Sequence, residues 1–249
     1  MVLLQPPDVR DFDVFTSMPA EFRRTGVRSH WADVNQGGRL ADSFLEGPVV
    51  DADGNLYVTD IPFGRVFRID TAGTWSLVGE WDGEPNGMKF LSPGELLITD
   101  YRNGLVVLDL RSGQVKPFLE RRNSERFKGV NDLVFDSRGN LFFTDQGQTG
   151  LHDPTGRVYR LAPDGRLDML LSNVPSPNGI VLSPDERFLF VAATRAATAC
   201  GACRCWPTAA CPRPGSSSAR TGRADPTAWR WTRTGGCWSR TRAWATCGC

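Results

Sequence analysis

The chain has 249 residues, with 29 Lys+Arg against 28 Asp+Glu for a formal charge of +1. That balance excludes whole-chain attraction to nucleic acid or to an anionic membrane. With 40% hydrophobic and 23% charged residues, the chain is also excluded from the disordered class. No run approaches the ~18 apolar residues of a membrane-spanning helix. The apolar stretch before Pro6-Pro7 is too short for a signal segment, so a cytoplasmic address is expected.

In chain order, residues 1–45 come first, with apolar sites at Phe12, Val14, Phe15 and Trp31. They are expected to supply an outer strand or part of a sheet unit. Four fifteen-residue segments then align without gaps: 46–60, 86–100, 131–145 and 178–192, their starts separated by 40, 45 and 47 residues. Each reads as a polar residue, a short apolar strand, a turn and a second apolar strand. The turns are Asp53-Gly54, Pro93-Gly94, Arg138-Gly139 and Pro184-Asp185, and the first three segments end in Thr-Asp. Two further strands follow each of the first three: Arg65–Ile69 and Trp75–Val78, Leu105–Leu110 and Val115–Leu119, Arg157–Leu161 and Leu167–Leu171.

Four antiparallel strands per unit, repeated every 40–47 residues, predict an all-β β-propeller with blades in residues 46–194. Glu46, Asn86, Asn131 and Asn178 occupy the same phase, at the start of each unit's first strand. In a propeller those strands surround the central channel, so one carboxylate and several amide oxygens are expected to converge as a hard-oxygen cage for a divalent cation. The competing reading is structural, because Asn-Gly is a common turn dipeptide. Asp132 breaks the pattern by standing where the other units have Gly, and is expected to be either an acceptor supporting the ligands or a further ligand. Asp60, Asp100 and Asp145 are expected to make structural hydrogen bonds at strand ends. The loop 146–155, including His152, is expected to wall the mouth of the site.

The stretches SFLEGPVVDADGNLYVTDIPFGRVFRID, GVNDLVFDSRGNLFFTDQGQTG and SPNGIVLSPDERFLFVA, across residues 43–194, resemble the senescence-marker-protein / gluconolactonase / luciferin-regenerating-enzyme family of six-bladed propellers. The resemblance implies one divalent cation, Ca2+ or Zn2+, and hydrolysis of a sugar lactone or related ester. It implies Glu46, Asn131 and Asn178 as metal ligands, the position of Asn131 binding metal in some relatives and substrate in others; Asn131, Asn86 and Asp132 are taken as candidate substrate contacts. Some family members grip sugar hydroxyls with an Arg two residues before that Asn; here the position is Gly129, which departs from aldonolactone recognition. The family's late-blade aspartate, in a P-D-G-hydrophobic motif, has no in-frame counterpart, so no catalytic residue is assigned. A non-enzymatic propeller that binds a ligand or protein partner, and an inactive truncated or frameshifted product, remain as alternatives.

Residues 195–249 differ in kind. They hold all 7 cysteines, nine arginines, one acid (Asp225) and no Val, Leu, Ile, Phe, Met or Tyr. Their charge is +8, leaving −7 on residues 1–194. No strand face or helix stripe is expected from such a segment, which reads as disordered and leaves the propeller incomplete. Cys200-x-x-Cys203 lacks the second pair or histidines of a zinc site. Regrouping GC-rich codons by one base from Pro226 to Cys247 yields roughly DGLAVDADGGLLVAHAGLGYV, which is a further repeat headed by the missing P-D-G motif. A frameshift near residues 194–199 accounts for all of these features. Resequencing the gene is expected to reveal a shifted frame that encodes this repeat; a gene with no such frame would refute the reading.

Overall fold

The computed structural model describes residues 13–195, together with the backbone of three short strands beyond them. The first sheet contains β1 (Leu45–Val50), β2 (Leu56–Asp60), β3 (Arg65–Ile69) and β4 (Trp75–Glu80). The second contains β5 (Pro85–Ser92), β6 (Glu95–Asp100), β7 (Gly104–Asp109) and β8 (Val115–Leu119). A ribbon of β9 (Arg121–Arg122) and β10 (Glu125–Arg126) leads to the third sheet: β11 (Val130–Phe135), β12 (Leu141–Asp145), β13 (Gly156–Leu161) and β14 (Leu167–Val174). The fourth joins β15 (Pro177–Leu182), β16 (Phe188–Ala193) and β17 (Ala199–Arg204). β18 (Trp229–Trp231) pairs with β19 (Trp238–Arg240).

Every sheet is an antiparallel meander, and the first strands lie side by side in the order β1, β5, β11, β15. This is the propeller expected from the repeat, with β1, β5, β11 and β15 innermost. Apolar layers fill the space between successive blades. Tyr57 and Val66 of blade one meet Met88, Leu96, Ile98, Val106 and Leu108 of blade two. Leu97, Leu105 and Val107 meet Val130, Leu133, Phe143 and Tyr159. Phe142, Val158 and Val174 meet Ile180, Leu189 and Val191. Alternation puts one side chain in two on each face of a strand. The middle strands are buried on both faces, and so read as continuous apolar runs such as Leu96-Leu97-Ile98.

Local chemistry sets the hairpins. The Asp51 carboxylate accepts the backbone N–H groups of Asp53 and Asn55 and the Asn55 side-chain amide, and Asp136 holds Arg138 and Asn140 in the same way. These Asx turns explain the D-x-x-G-N pattern of both repeats. The fourth hairpin is one residue longer. Ser183 N–H reaches Phe188 O, and Glu186 takes a positive φ of 54°. Pro177 therefore pairs with Ala193, as Leu45, Pro85 and Val130 pair with Asp60, Asp100 and Asp145. The gapless alignment slips by one in that second strand.

The N-terminal expectation falls in part on residues 1–12, which lie outside the described residues. Among the described residues, 13–44 form no strand; they carry a short 3-10 turn at Ala20–Phe22 and a helix, α1 (His30–Asn35), capped by Ser29 Oγ. Met18 and Phe22 cover blade one against Phe67 and Trp75, and Trp31 packs on Phe44 at 4.6 Å. Val14 and Phe15 remain exposed, and Phe12 lies outside the described residues. The backbone of β17, β18 and β19 lies in the segment from which no strand was expected; pairing of this kind uses peptide groups and needs no aliphatic side chain. The remainder of 195–249, including most of the aberrant tail, lies outside the described residues.

Successive blades are joined by a threonine ladder. Thr59 Oγ1 donates to Asn86 O at 3.0 Å, Thr99 Oγ1 to Asn131 O at 2.5 Å and Thr144 Oγ1 to Asn178 O at 2.7 Å. Each threonine belongs to a Thr-Asp pair, and each acceptor is the in-phase residue of the next blade. Thr99→Val removes the hydroxyl at nearly constant shape and leaves a buried carbonyl short of a partner. It is expected to lower the unfolding free energy by about 1–3 kcal/mol, read by chemical denaturation. An unchanged midpoint would show that the ladder contributes nothing.

Candidate active site

Glu46, Asn86, Asn131 and Asn178 are each the second residue of an innermost strand. The pairing register shifts at the same place in all four, between Glu46 and Val49, Pro85 and Met88, Val130 and Leu133, and Pro177 and Ile180. A bulge lifts a residue out of the ladder and re-aims its side chain. The glycine that follows allows close approach: a Cβ on Gly47, where φ is +54°, would lie 2.0 Å from Asn86 O, and one on Gly87 would lie 2.5 Å from Asp132 Oδ1.

The four side chains differ in commitment. Asn131 is buried and donates from Nδ2 to Gln146 Oε1 at 3.1 Å, which turns its Oδ1 away from Gln146. Gln146 is fixed in turn by donating to Ser176 Oγ at 2.9 Å. Among the described residues, the side-chain amides of Asn86 and Asn178 have no hydrogen-bond partner, and exposed Glu46 has only a 3.4 Å contact from Gly47 N–H. Asp132 is used differently. Its Oδ1 accepts Leu133 N–H at 2.8 Å and its Oδ2 accepts Ile180 N–H at 2.9 Å, so the carboxylate ties blade three to blade four. Both carboxylate oxygens of Asp132 are therefore engaged by backbone N–H groups, as expected of a supporting acceptor.

The donor set fits a hard cation in kind: one carboxylate and neutral amide oxygens. Among the described residues, no three His, Cys, Asp or Glu side chains cluster as a metal centre. The Cys200 and Cys203 side chains lie outside the described residues.

A cavity of about 480 Å3 is lined by His30, Glu84, Tyr101, Lys128, Gln148 and Thr149 among others; Glu46, Asn86, Asn131 and Asn178 are not among its lining residues. Glu84 and Gly129 are phase-mates, each two residues ahead of an in-phase asparagine. Gly129 has φ 149°, and a Cβ there would strike the Tyr101 ring at 2.3 Å, so Tyr101 occupies the space that a side chain at 129 would need. Burial pushes the Tyr101 hydroxyl above its usual range, aided by the charges of Glu84 and Asp145 and opposed by a hydrogen bond with Gln148. The 146–155 loop does wall the mouth, through Gln148, Thr149 and Asp153; His152 is exposed and does not line the cavity. His30, Glu84, Tyr101 and Gln146 were not singled out as site residues from the sequence. The position of Glu84 two residues ahead of Asn86 was the one available signal.

Asp60, Asp100 and Asp145 perform the structural duty expected of them, accepting the backbone N–H of Phe44, Glu84 and Gly129, which lead into the innermost strands. Their second oxygens differ. Asp60 Oδ2 binds Arg65 at 2.5 Å, and Asp100 Oδ2 binds Trp81 Nε1 at 2.7 Å. Arg157, the register partner of Asp145, turns instead to Glu125 at 2.7 Å and Tyr159 at 3.3 Å. Among the described residues, buried Asp145 Oδ2 has no hydrogen-bond partner.

The sequence pattern of the SMP-30/Gluconolactonase/LRE-like region matches residues 44–206, and the chain belongs to that family. It is 31% identical over 159 residues to the lactonase drp35 of Staphylococcus haemolyticus, covering 60% of this chain and 48% of the relative. It is also 31% identical over 169 residues to the gluconolactonase of Zymomonas mobilis, covering 59% of this chain and 48% of the relative. The chain thus spans about half the length of the curated relatives it matches. Among solved structures, a gluconolactonase from Xanthomonas campestris superposes with a TM-score of 0.58 at 25% identity, covering 73% of this chain and 67% of that one. A regucalcin from Agrobacterium tumefaciens, described as calcium-binding, superposes at 0.52 with 23% identity over 61% of this chain and 50% of that one, and shares the fold. No helix among the described residues is long and apolar enough to cross a membrane.

Burial raises the pKa of Asp145 from 3.8 to about 6, against the pull of the Gly129 N–H and Arg157. The folded chain therefore holds this proton more tightly than the unfolded chain, so the ionised form opposes folding. The penalty is absent below the ordinary value of 3.8 and complete above about 6. Asp145→Asn keeps an oxygen for Gly129 and removes the charge. It is expected to stabilise the protein at pH 8 by about 1–3 kcal/mol, with the gain shrinking toward pH 4. Thermal melts of both proteins across that range check it; a gain independent of pH would contradict the assignment.

Proposed function

We propose that the propeller hydrolyses a sugar lactone or related ester, using one divalent cation held by Glu46, Asn131 and Asn178. The observation that carries this reading is the uncommitted Oδ1 of buried Asn131, pinned through its amide nitrogen by Gln146. The free side chains of Asn178 and Glu46, at the equivalent bulged positions, add to it. The family's lactonase and gluconolactonase relatives support the substrate class. An all-oxygen donor set favours Ca2+ over Zn2+, which prefers nitrogen and sulfur.

When bound, a divalent cation supplies Lewis acidity toward a carbonyl oxygen. The residues of the chain do the remaining work. Glu46 contributes the one negative charge of the set. Asn131 and Asn178 contribute neutral oxygens that do not quench a cation's electrophilicity. Asn86 offers an amide to a substrate hydroxyl, and Gln146 with Asp132 keeps the asparagines in place. The late-blade aspartate of the family has no in-frame counterpart, so the chain as written is proposed to be impaired and its frame-restored form to be the active hydrolase. A cytoplasmic location and a small-molecule lactone or ester as the partner complete the proposal.

Hydrolysis of glucono-δ-lactone by the frame-restored chain is expected to stop on chelation and to return with Ca2+. Glu46→Gln is expected to lower kcat/KM by about 100-fold, roughly 2.7 kcal/mol of transition-state stabilisation. The chain as written is expected to be slower than the restored one. A rate indifferent to chelator, or to loss of Glu46, would end the metal reading.

A further inference from the structure

The family match begins at residue 44, yet one side of the cavity is built by the segment before it. His30, the first residue of α1, has Nδ1 2.8 Å from Glu84 Oε1. The two side chains differ sharply in environment: Glu84 is 6% exposed and His30 is 70% exposed. Glu84 is itself fixed, with its N–H on Asp100 Oδ1 and its carbonyl accepting Tyr101 N–H. A buried, fixed carboxylate facing an imidazole nitrogen sets the ring's orientation, and that hydrogen bond selects the tautomer. With Nδ1–H given to Glu84, Nε2 becomes the acceptor. Among the described residues Nε2 has no hydrogen-bond partner, and the ring lines the cavity. Of the other titratable groups there, Lys128 Nζ donates to Thr155 Oγ1, Asp153 Oδ1 accepts from the same hydroxyl, and Tyr101 is held near Gln148. None of them competes for the ring.

We propose that His30 is a catalytic proton-transfer residue of this cavity and that Glu84 is its positioning carboxylate. The proposal rests on the hydrolase reading. Glu84 lies immediately before β5, two residues ahead of Asn86, and both it and His30 line the cavity. The volume suits a small sugar lactone. Water gives a proton to Nε2 as its oxygen bonds to the lactone carbonyl carbon. The ring C–O bond then breaks, and the proton passes from Nε2 to the departing alkoxide. One lactone and one water become one open-chain hydroxy acid, and His30 returns neutral. The exposure of His30 gives solvent water direct access to Nε2. General-base assistance of this kind is worth about 100- to 10,000-fold.

The test has two arms. In the full chain, the imidazole 15N signals of neutral His30 are expected to report the Nδ1–H tautomer, and Glu84→Gln is expected to return it to the Nε2–H form preferred by free imidazole; His152 serves as the reference. In lactone hydrolysis by the full and frame-restored chains, His30→Gln is expected to lower kcat by about 100-fold or more with KM changed less than about threefold. Because His30 is on an exposed helix, circular dichroism should show the variant folded. An Nε2–H tautomer in the parent overturns the proposal, as does turnover that survives His30→Gln. No turnover in either parent chain removes the hydrolase reading, and this proposal with it.

Discussion

The fold and the site depend on the same contact, the near-touching of consecutive innermost strands at their bulged starts. The carbonyl that accepts the threonine of the preceding blade belongs to the residue whose side chain is the candidate ligand or substrate contact, as with Asn86, Asn131 and Asn178. Blade spacing therefore sets the placement of those side chains. The contact is possible because the position after Glu46 and Asn86 has no Cβ: Gly47 and Gly87 lie against the backbone or carboxylate of the next blade. Asp132 is the exception that fits, since its carboxylate sits over Gly87 and reaches across to Ile180 N–H.

The blades share one frame but not one chemistry. Three aspartates close the entry to an innermost strand by the same backbone hydrogen bond. Among the described residues, their second oxygens meet an arginine, an indole N–H or no partner. In the fourth blade Ala193 takes the aspartate's register position, and Thr149 Oγ1 accepts Ser176 N–H in its place. The residues two ahead of the in-phase positions diverge likewise, as Phe44, Glu84, Gly129 and Ser176. Repetition supplies the scaffold, and the departures from it shape an asymmetric mouth.

The blades were legible in the sequence because each strand pair is bracketed by turn residues that act locally. Asp51 and Asp136 grip backbone groups within four residues of themselves. The in-phase set was legible because a fixed period carries equivalent positions to equivalent places. What escaped were the contacts without a period. His30 and Glu84 are 54 residues apart, and nothing local to either announces the other. The extra residue of the fourth hairpin was hidden because Phe188 and Leu189 satisfy the apolar pattern in either register. Val14 and Phe15 looked like strand positions, but the blade-one face is covered by Met18 and Phe22 instead.

A ligand set with a single carboxylate attracts a cation less strongly than one with two or three, because affinity in oxygen cages rises with ligand charge and with rigidity. Where charge is scarce, rigidity must make up the difference. The neighbourhood of Asn131 has it: Gln146 holds the amide, Thr99 the carbonyl, and the carboxylate of Asp132 binds the strand to the next blade. Three of those four side chains contribute no formal charge. Donor atoms held in this way lose little conformational entropy when they engage a ligand. Neutral oxygens also leave a cation's pull on a carbonyl largely intact. The asparagines at 131 and 178 therefore serve the proposed chemistry better than carboxylates at the same positions, provided the strands beneath them stay locked.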